Sequence, residues 1–249
     1  MSSLDAAAVT ALNEQQLATA RGRILYDPSR VRKPAPELFS VDFWRARDAV
    51  REMRGGRGSV ACIEADGERW VLRHYRRGGL VARIARDSYV WVGADRTRAF
   101  AEWRLLAELY RRGLPVPRPV AAQYVRRGVL YRADLITEQL VGVSTLADAI
   151  TGQALSADRW QAIGRTIAAF HRHGVQHADL NAHNILVGEA SVHLLDFDRG
   201  RIRQRGDWEH EVIERLHRSL RKIAAERGNV AFGERQWRWL CEGLEVNGD

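Results

Sequence analysis

The chain has 249 residues, 45% hydrophobic and 28% charged, with a formal net charge of +8. That composition is ordinary for a globular protein of one large or two small domains and excludes wholesale disorder. No apolar run reaches the roughly 18 residues a spanning helix needs, and two cysteines, Cys62 and Cys241, are too few for a disulfide framework or a structural zinc site.

The first residues, from Met1 to Gln16, lack the basic and apolar regions of a secretory signal, so a cytoplasmic location is expected. Residues 1–35 read as a polar lead-in, extended or loop, punctuated by Tyr26-Asp27-Pro28 and Pro34-Ala35-Pro36. Residues 41–53 have helical spacing, with Phe43, Trp44, Ala46, Val50 and Met53 on one side. Gly55-Gly56-Arg57-Gly58 is a glycine turn. Asp66-Gly67 separates strand-like runs at 59–64 and 69–75, which is a hairpin signal. A helix is predicted over 99–112, stopped by Gly113 and by Pro115, Pro117 and Pro119. Strand-like runs at 120–125 and 129–138 flank Arg126-Arg127-Gly128.

Past Leu140 the character changes. Residues 144–148 predict a helix start, and 158–173 a long helix with Trp160, Ile163, Ile167, Ala168 and Phe170 toward the core. Two short strands are expected at 184–187 and 192–195, around Gly188-Glu189, and helix from Asp207 onward. The layout is α+β: a β-rich part over residues 1–137, a connector near 138–143, and a mainly helical part over 138–249.

The positive charge is almost all arginine, because Lys33 and Lys222 are the only lysines. Between positions 69 and 132 fifteen arginines face four acids, Asp87, Asp95, Glu102 and Glu108. Such clustering calls for an anionic partner: nucleic acid, an acidic membrane or a phosphorylated substrate.

Chemistry is concentrated in His177-Ala178-Asp179-Leu180-Asn181-Ala182-His183-Asn184, followed by Leu194-Leu195-Asp196-Phe197-Asp198. Asp and Asn alone would be ordinary turn chemistry. Asp179 and Asn184 five apart on a loop, with Asp196 twelve further on after an apolar strand, is a more demanding pattern. It resembles the catalytic loop and metal motif of the protein-kinase-like superfamily.

That resemblance implies a two-lobed fold, with an antiparallel β-rich N-lobe and a mainly helical C-lobe, binding ATP and Mg2+. Asp179 would be the catalytic base, which orients the acceptor hydroxyl and takes its proton. Asn184 and Asp196 would ligate magnesium, a hard cation that prefers oxygen. His177 would brace the loop. Gly55, Gly56 and Gly58 stand where a phosphate-covering loop belongs. Glu102 suits the glutamate that braces the phosphate-binding cation. Thr137-Glu138-Gln139-Leu140 suits the hinge, with Glu138 and Leu140 among its adenine-binding positions. The pattern expects a lysine on the third strand, where this chain has Arg73, and a glycine where it has Asp198. Nothing resembles an activation segment, and the short chain argues for a small-molecule or lipid kinase.

From Ile24 to the C-terminus the chain resembles the 3-deoxy-D-manno-octulosonic acid (Kdo) kinases, which are grouped with the lipopolysaccharide-core heptose kinases. The segments that carry this are ILYDP, LF with a later FW, VLRHYRRGGL, AEWRLLAELYRRGLPVPRP, HADLNAHNIL and LLDFDRGRIR. The resemblance implies ATP-dependent phosphorylation of the 4-hydroxyl of Kdo on Kdo-bearing lipid IVA, in lipopolysaccharide core assembly. It also implies a peripheral position on the cytoplasmic face of the bacterial inner membrane. Arg76, Arg77, Arg83 and Arg86, around Gly78-Gly79 and Leu80-Val81, would grip lipid phosphates or the Kdo carboxylate. Competing readings are a kinase of heptose, of an aminoglycoside-like alcohol or of a protein, and a basic pseudokinase that binds without transfer. No nucleic-acid motif is found, so no nucleic-acid partner is expected.

Overall fold

The computed structural model describes residues 12–54, 60–76, 87–152, 154–227 and 230–245. The glycine turn 55–58 and most of the basic segment, residues 77–86, lie outside the described residues. The chain divides into two compact units, Met1–Ala107 with Arg118–Gln139, and Glu108–Pro117 with Leu140–Asp249.

The first unit is built on an antiparallel sheet. Its strands are β1 (Gln15–Thr19), β2 (Gly22–Tyr26), β3 (Val50–Arg54), β4 (Val60–Ala65), β5 (Glu68–His74), β6 (Tyr89–Val90), β7 (Pro119–Arg127) and β8 (Leu130–Glu138). Their order is β1-β2-β7-β8-β5-β4-β3, with β6 beside the start of β8. The hairpin expected at Asp66-Gly67 is β4–β5. Both turn residues have positive φ, 53° and 79°, as a tight hairpin turn of matching twist requires.

Two expectations for this unit are corrected. The lead-in is not all loop, because β1 and β2 pair with each other and β2 continues onto β7, from Gly22 opposite Val125 to Tyr26 opposite Ala121. Ile24 and Leu25 are both fully buried, so β2 shows no polar–apolar alternation to read. The second correction concerns 41–53. Only Val41–Arg45 is helical (α1), capped by Ser40, whose Oγ accepts the N–H of Phe43. Asp48 then takes φ 53° and the chain turns into β3, which pairs with β4. The helical spacing there is coincidence: Trp44 is buried from α1, against Trp70 at 6.0 Å, while Val50 belongs to a strand.

A buried ion pair fastens the end of β2 to the start of β7. Arg118 donates to Asp27 at 2.6 Å, and both are at most 5% exposed. Asp27 also accepts from Ser29, so both of its oxygens are used. The helix α2 (Arg98–Arg111) buries Ala99, Phe100, Trp103 and Leu106 along one stripe, with the acidic Glu102 inside it.

The second unit holds β9 (Val143–Thr145), α3 (Leu146–Gly152), α4 (Ala157–Arg172), β10 (Val175–Gln176), β11 (Ile185–Gly188), β12 (Val192–Leu194), β13 (Arg201–Ile202), α5 (Trp208–Glu226) and α6 (Glu234–Glu245). The five core positions expected on α4 are all buried. The helices α4 and α6 meet backbone to backbone. A Cβ on Gly164 would fall 2.1 Å from the carbonyl oxygen of Leu240, and one on Gly243 would fall 2.1 Å from that of Gln161. β11 pairs with β12 and with β9, and β10 with β13, so small antiparallel ladders carry the loop from Val175 to Ile202. The fold class is α+β, with a sheet-dominated unit and a mainly helical one.

Candidate active site

In the first unit two of the candidates, Arg73 and Glu102, come together. Arg73 on β5 pairs with Glu102 on α2, and the hydroxyl of Tyr75 donates to the same Glu102 oxygen. Arg73 also donates to the Tyr75 hydroxyl at 3.0 Å. The Glu102 side chain is 1% exposed and that of Arg73 22%. A carboxylate so deeply buried is stable only when paired and hydrogen-bonded, which the guanidinium and the phenol together accomplish. Arginine therefore occupies the pairing position where the kinase pattern has lysine. Tyr75 was not singled out from the sequence, although it lies two residues from Arg73 and so on the same side of the extended chain.

The hinge candidates are differently placed. The N–H of Glu138 donates to the carbonyl of Arg118, and that of Gln139 to Arg69, each at 2.9 Å. The Glu138 carboxylate pairs with Arg30 at 2.5 Å. Burial pushes this carboxyl up despite the opposing pull of Arg30. Leu140 N–H has no backbone partner among the described residues.

In the second unit the loop between β10 and β11 is held by its own polar groups. His177 is 3% exposed. Its Nδ1 accepts the N–H of Asp179 at 3.2 Å, and its Nε2 lies 2.7 Å from the carbonyl of Leu195. Those two contacts require the neutral ring with the proton on Nε2. Burial keeps the imidazole below its ordinary pKa. Phe197 packs on the ring at 4.7 Å and stacks on Phe170 at 5.6 Å, which locks it in place.

The same loop closes on Asp179 from the other side. Asn181 and Asn184 both donate their side-chain amides to the Asp179 carbonyl, at 3.0 and 2.9 Å. The β11–β12 pairing sets Ile185 opposite Leu194, and one rung further the N–H of Leu195 donates to the Asn184 carbonyl at 2.9 Å. Asp196 follows directly, at φ 60°. A left-handed non-glycine residue is costly unless its surroundings fix it. Here the bonds through Leu195 and the buried Phe197 do so. Asp198, where the pattern has glycine, does not take positive φ, so no glycine is required there.

This donor set suits a hard cation. With its Nδ2 engaged by Asp179, Asn184 presents an amide oxygen that has no partner among the described residues. Asp196 supplies a carboxylate. Among the described residues no group of three or more His, Cys, Asp or Glu side chains could hold a metal ion on its own. An ion held by these two residues would therefore draw further ligands from phosphate and water, as magnesium does.

The Asp179 carboxylate is 67% exposed, with Nη1 of Arg215 on α5 at 3.6 Å from Oδ1. Ser219, one turn further along α5, accepts the N–H of Ala182 at 3.2 Å. Neither residue was singled out from the sequence. They follow the motif on a distant helix, and only tertiary packing brings them to the loop.

Comparison with known proteins identifies the lineage. The family model described as lipopolysaccharide kinase (Kdo/WaaP) matches residues 41–243. The chain is 47% identical over 227 residues to the 3-deoxy-D-manno-octulosonic acid kinase of Xylella fastidiosa (strain M23), covering 90% of each protein. It is 50% identical over 211 residues to the 3-deoxy-D-manno-octulosonic acid kinase of Stenotrophomonas maltophilia (strain R551-3), covering 83% of each. Among solved structures, WaaP in complex with acyl carrier protein matches with a TM-score of 0.51 and 16% identity over 81% of each chain, which speaks to the fold alone. The fold is kinase-like, and a family match across most of the chain, with relatives near half identical along most of their length, means that this chain belongs to the lipopolysaccharide kinase (Kdo/WaaP) family.

Proposed function

We propose that this kinase transfers the terminal phosphoryl group of ATP to the 4-hydroxyl of Kdo on Kdo-bearing lipid IVA, during lipopolysaccharide core assembly. Relatives named Kdo kinase, 47–50% identical over most of the chain, support the sugar. The observation that carries the chemistry is His177, whose two ring nitrogens tie the backbone of Asp179 to that of Leu195, the residue before Asp196.

Asp179 accepts a hydrogen bond from the acceptor hydroxyl and takes its proton as the oxygen attacks phosphorus. Asn184 and Asp196 hold Mg2+ through oxygen. When bound, that ion offsets the charge of the nucleotide phosphates. Arg73, held by Glu102 and Tyr75, binds phosphate oxygens with a fork that a lysine lacks. Gly55, Gly56 and Gly58 cover the phosphates, and Glu138 and Leu140 border the adenine. Residues 1–137 serve as the N-lobe and 138–249 as the C-lobe.

Net charge favours a peripheral position at the anionic cytoplasmic face of the inner membrane. Among the described residues no helix is long and apolar enough to cross a bilayer.

The test is incubation with labelled ATP, magnesium and lipid IVA with or without Kdo. Label confined to the Kdo-bearing acceptor is expected. Transfer to neither acceptor refutes the reading. Asp179→Ala should abolish transfer with the fold intact, and retained activity would reject Asp179 as the base.

A further inference from the structure

An acceptor that is a sugar acid brings a carboxylate along with its hydroxyl. At the candidate base there is a cation in position to meet it. Arg215 Nη1 lies 3.6 Å from Asp179 Oδ1, with the two side chains 49% and 67% exposed. This is not an arbitrary surface arginine. One helical turn away, Ser219 fastens α5 to the loop at Ala182, which fixes the backbone of Arg215 relative to Asp179.

The contact makes incomplete use of the guanidinium. At 3.6 Å it is an ion pair without a hydrogen bond. The rest of the fork has no hydrogen-bond or ion-pair partner among the described residues, and the neighbouring Glu214 faces Arg218 at 3.9 Å. As a structural link such an exposed pair contributes little. The unused part of the fork makes sense if a second anion arrives with the substrate, because an arginine fork matches a carboxylate geometrically.

We propose that Arg215 binds the carboxylate of the sugar-acid acceptor and thereby selects an acidic sugar whose hydroxyl lies at Asp179. This inference rests on the reading of the chain as a Kdo kinase with Asp179 as its base.

The experiment compares steady-state kinetics of the full chain, Arg215→Ala and Arg215→Lys. Two acceptors are used: Kdo-bearing lipid IVA, and the same molecule with the Kdo carboxylate converted to its amide. The wild type should show a KM for the amide about tenfold or more above that for the acid, as the loss of a charge-assisted contact implies. Arg215→Ala should raise KM for the acid by a similar factor, change kcat little and leave KM for the amide unaltered, so that the preference disappears. Arg215→Lys should restore part of it. An unchanged acid-over-amide ratio in Arg215→Ala overturns this inference alone, as does a wild type indifferent to amidation or an equal loss of kcat on both acceptors. A wild type that phosphorylates neither acceptor overturns the Kdo reading together with this one.

Discussion

The backbone N–H of Asp179 donates to Nδ1 of His177, so the candidate base is positioned by a buried, neutral ring. The other ring nitrogen reaches Leu195, the residue before Asp196. Replacing His177 with Phe keeps the packing on Phe197 and removes both bonds. Because misplacement of reacting groups is costly, kcat should fall roughly 10–100-fold, while KM for ATP moves little. The check is steady-state kinetics beside a melting curve; an unchanged kcat would show that the ring has no positioning role.

Arg73 and Glu102 make a second prediction. Removing the guanidinium takes a charged partner away from the buried Glu102 carboxylate. Arg73→Ala should therefore destabilise the protein by about 3 kcal/mol and raise KM for ATP about tenfold. Arg73→Lys retains a cation for Glu102, so it should recover most of the stability. Urea unfolding with ATP titration separates the two effects. If Arg73→Lys were stable but Arg73→Ala bound ATP normally, the phosphate role of Arg73 would be rejected.

These residues also show what a sequence makes legible. The loop from His177 to Asn184 was readable because its bonds are local: Asn181 and Asn184 reach back to Asp179 within five positions. The β4–β5 hairpin was readable because two residues, Asp66 and Gly67, carry the turn chemistry. The strand β2 was not, since it pairs with β7 about a hundred positions later, and Ile24 and Leu25 are buried together. Residues 41–53 carried a helical period that sheet pairing overrode. Arg215 had no local signal at all, because its meaning comes from where α5 packs.

The crossing of α4 and α6 depends on two absent side chains. Gly164 and Gly243 each face the backbone of the opposite helix, where nothing can rotate out of the way. Helix propensity alone would make Gly164→Ala stabilising by about 1 kcal/mol. Overpacking should win, with a net loss of roughly 1–3 kcal/mol and no direct effect on the loop around Asp179. Thermal unfolding decides the sign, and a raised melting temperature in Gly164→Ala would mean that the helices can separate freely.

Two histidines should tilt stability with pH in opposite directions. His171 on α4 is 7% exposed, set edge-on against Trp208 at 5.3 Å, and burial lowers its pKa from 6.5 to about 4. Between those values the unfolded chain binds a proton that the folded ring refuses. Stability from this residue is thus complete above pH 6.5 and lost as pH falls toward 4, by an amount of about 3 kcal/mol. His74 behaves oppositely. Its hydrogen bond to Asp134, at 2.5 Å, raises its pKa above 6.5, so its contribution is complete below 6.5 and lost as pH rises through the folded value. Urea unfolding at pH 5 and pH 8 tests both. His171→Phe should gain stability relative to the wild type on going from pH 8 to pH 5, because it removes the refused proton. His74→Phe should lose stability relative to the wild type over the same change. Equal differences at the two pH values would show that neither ring changes its proton affinity on folding.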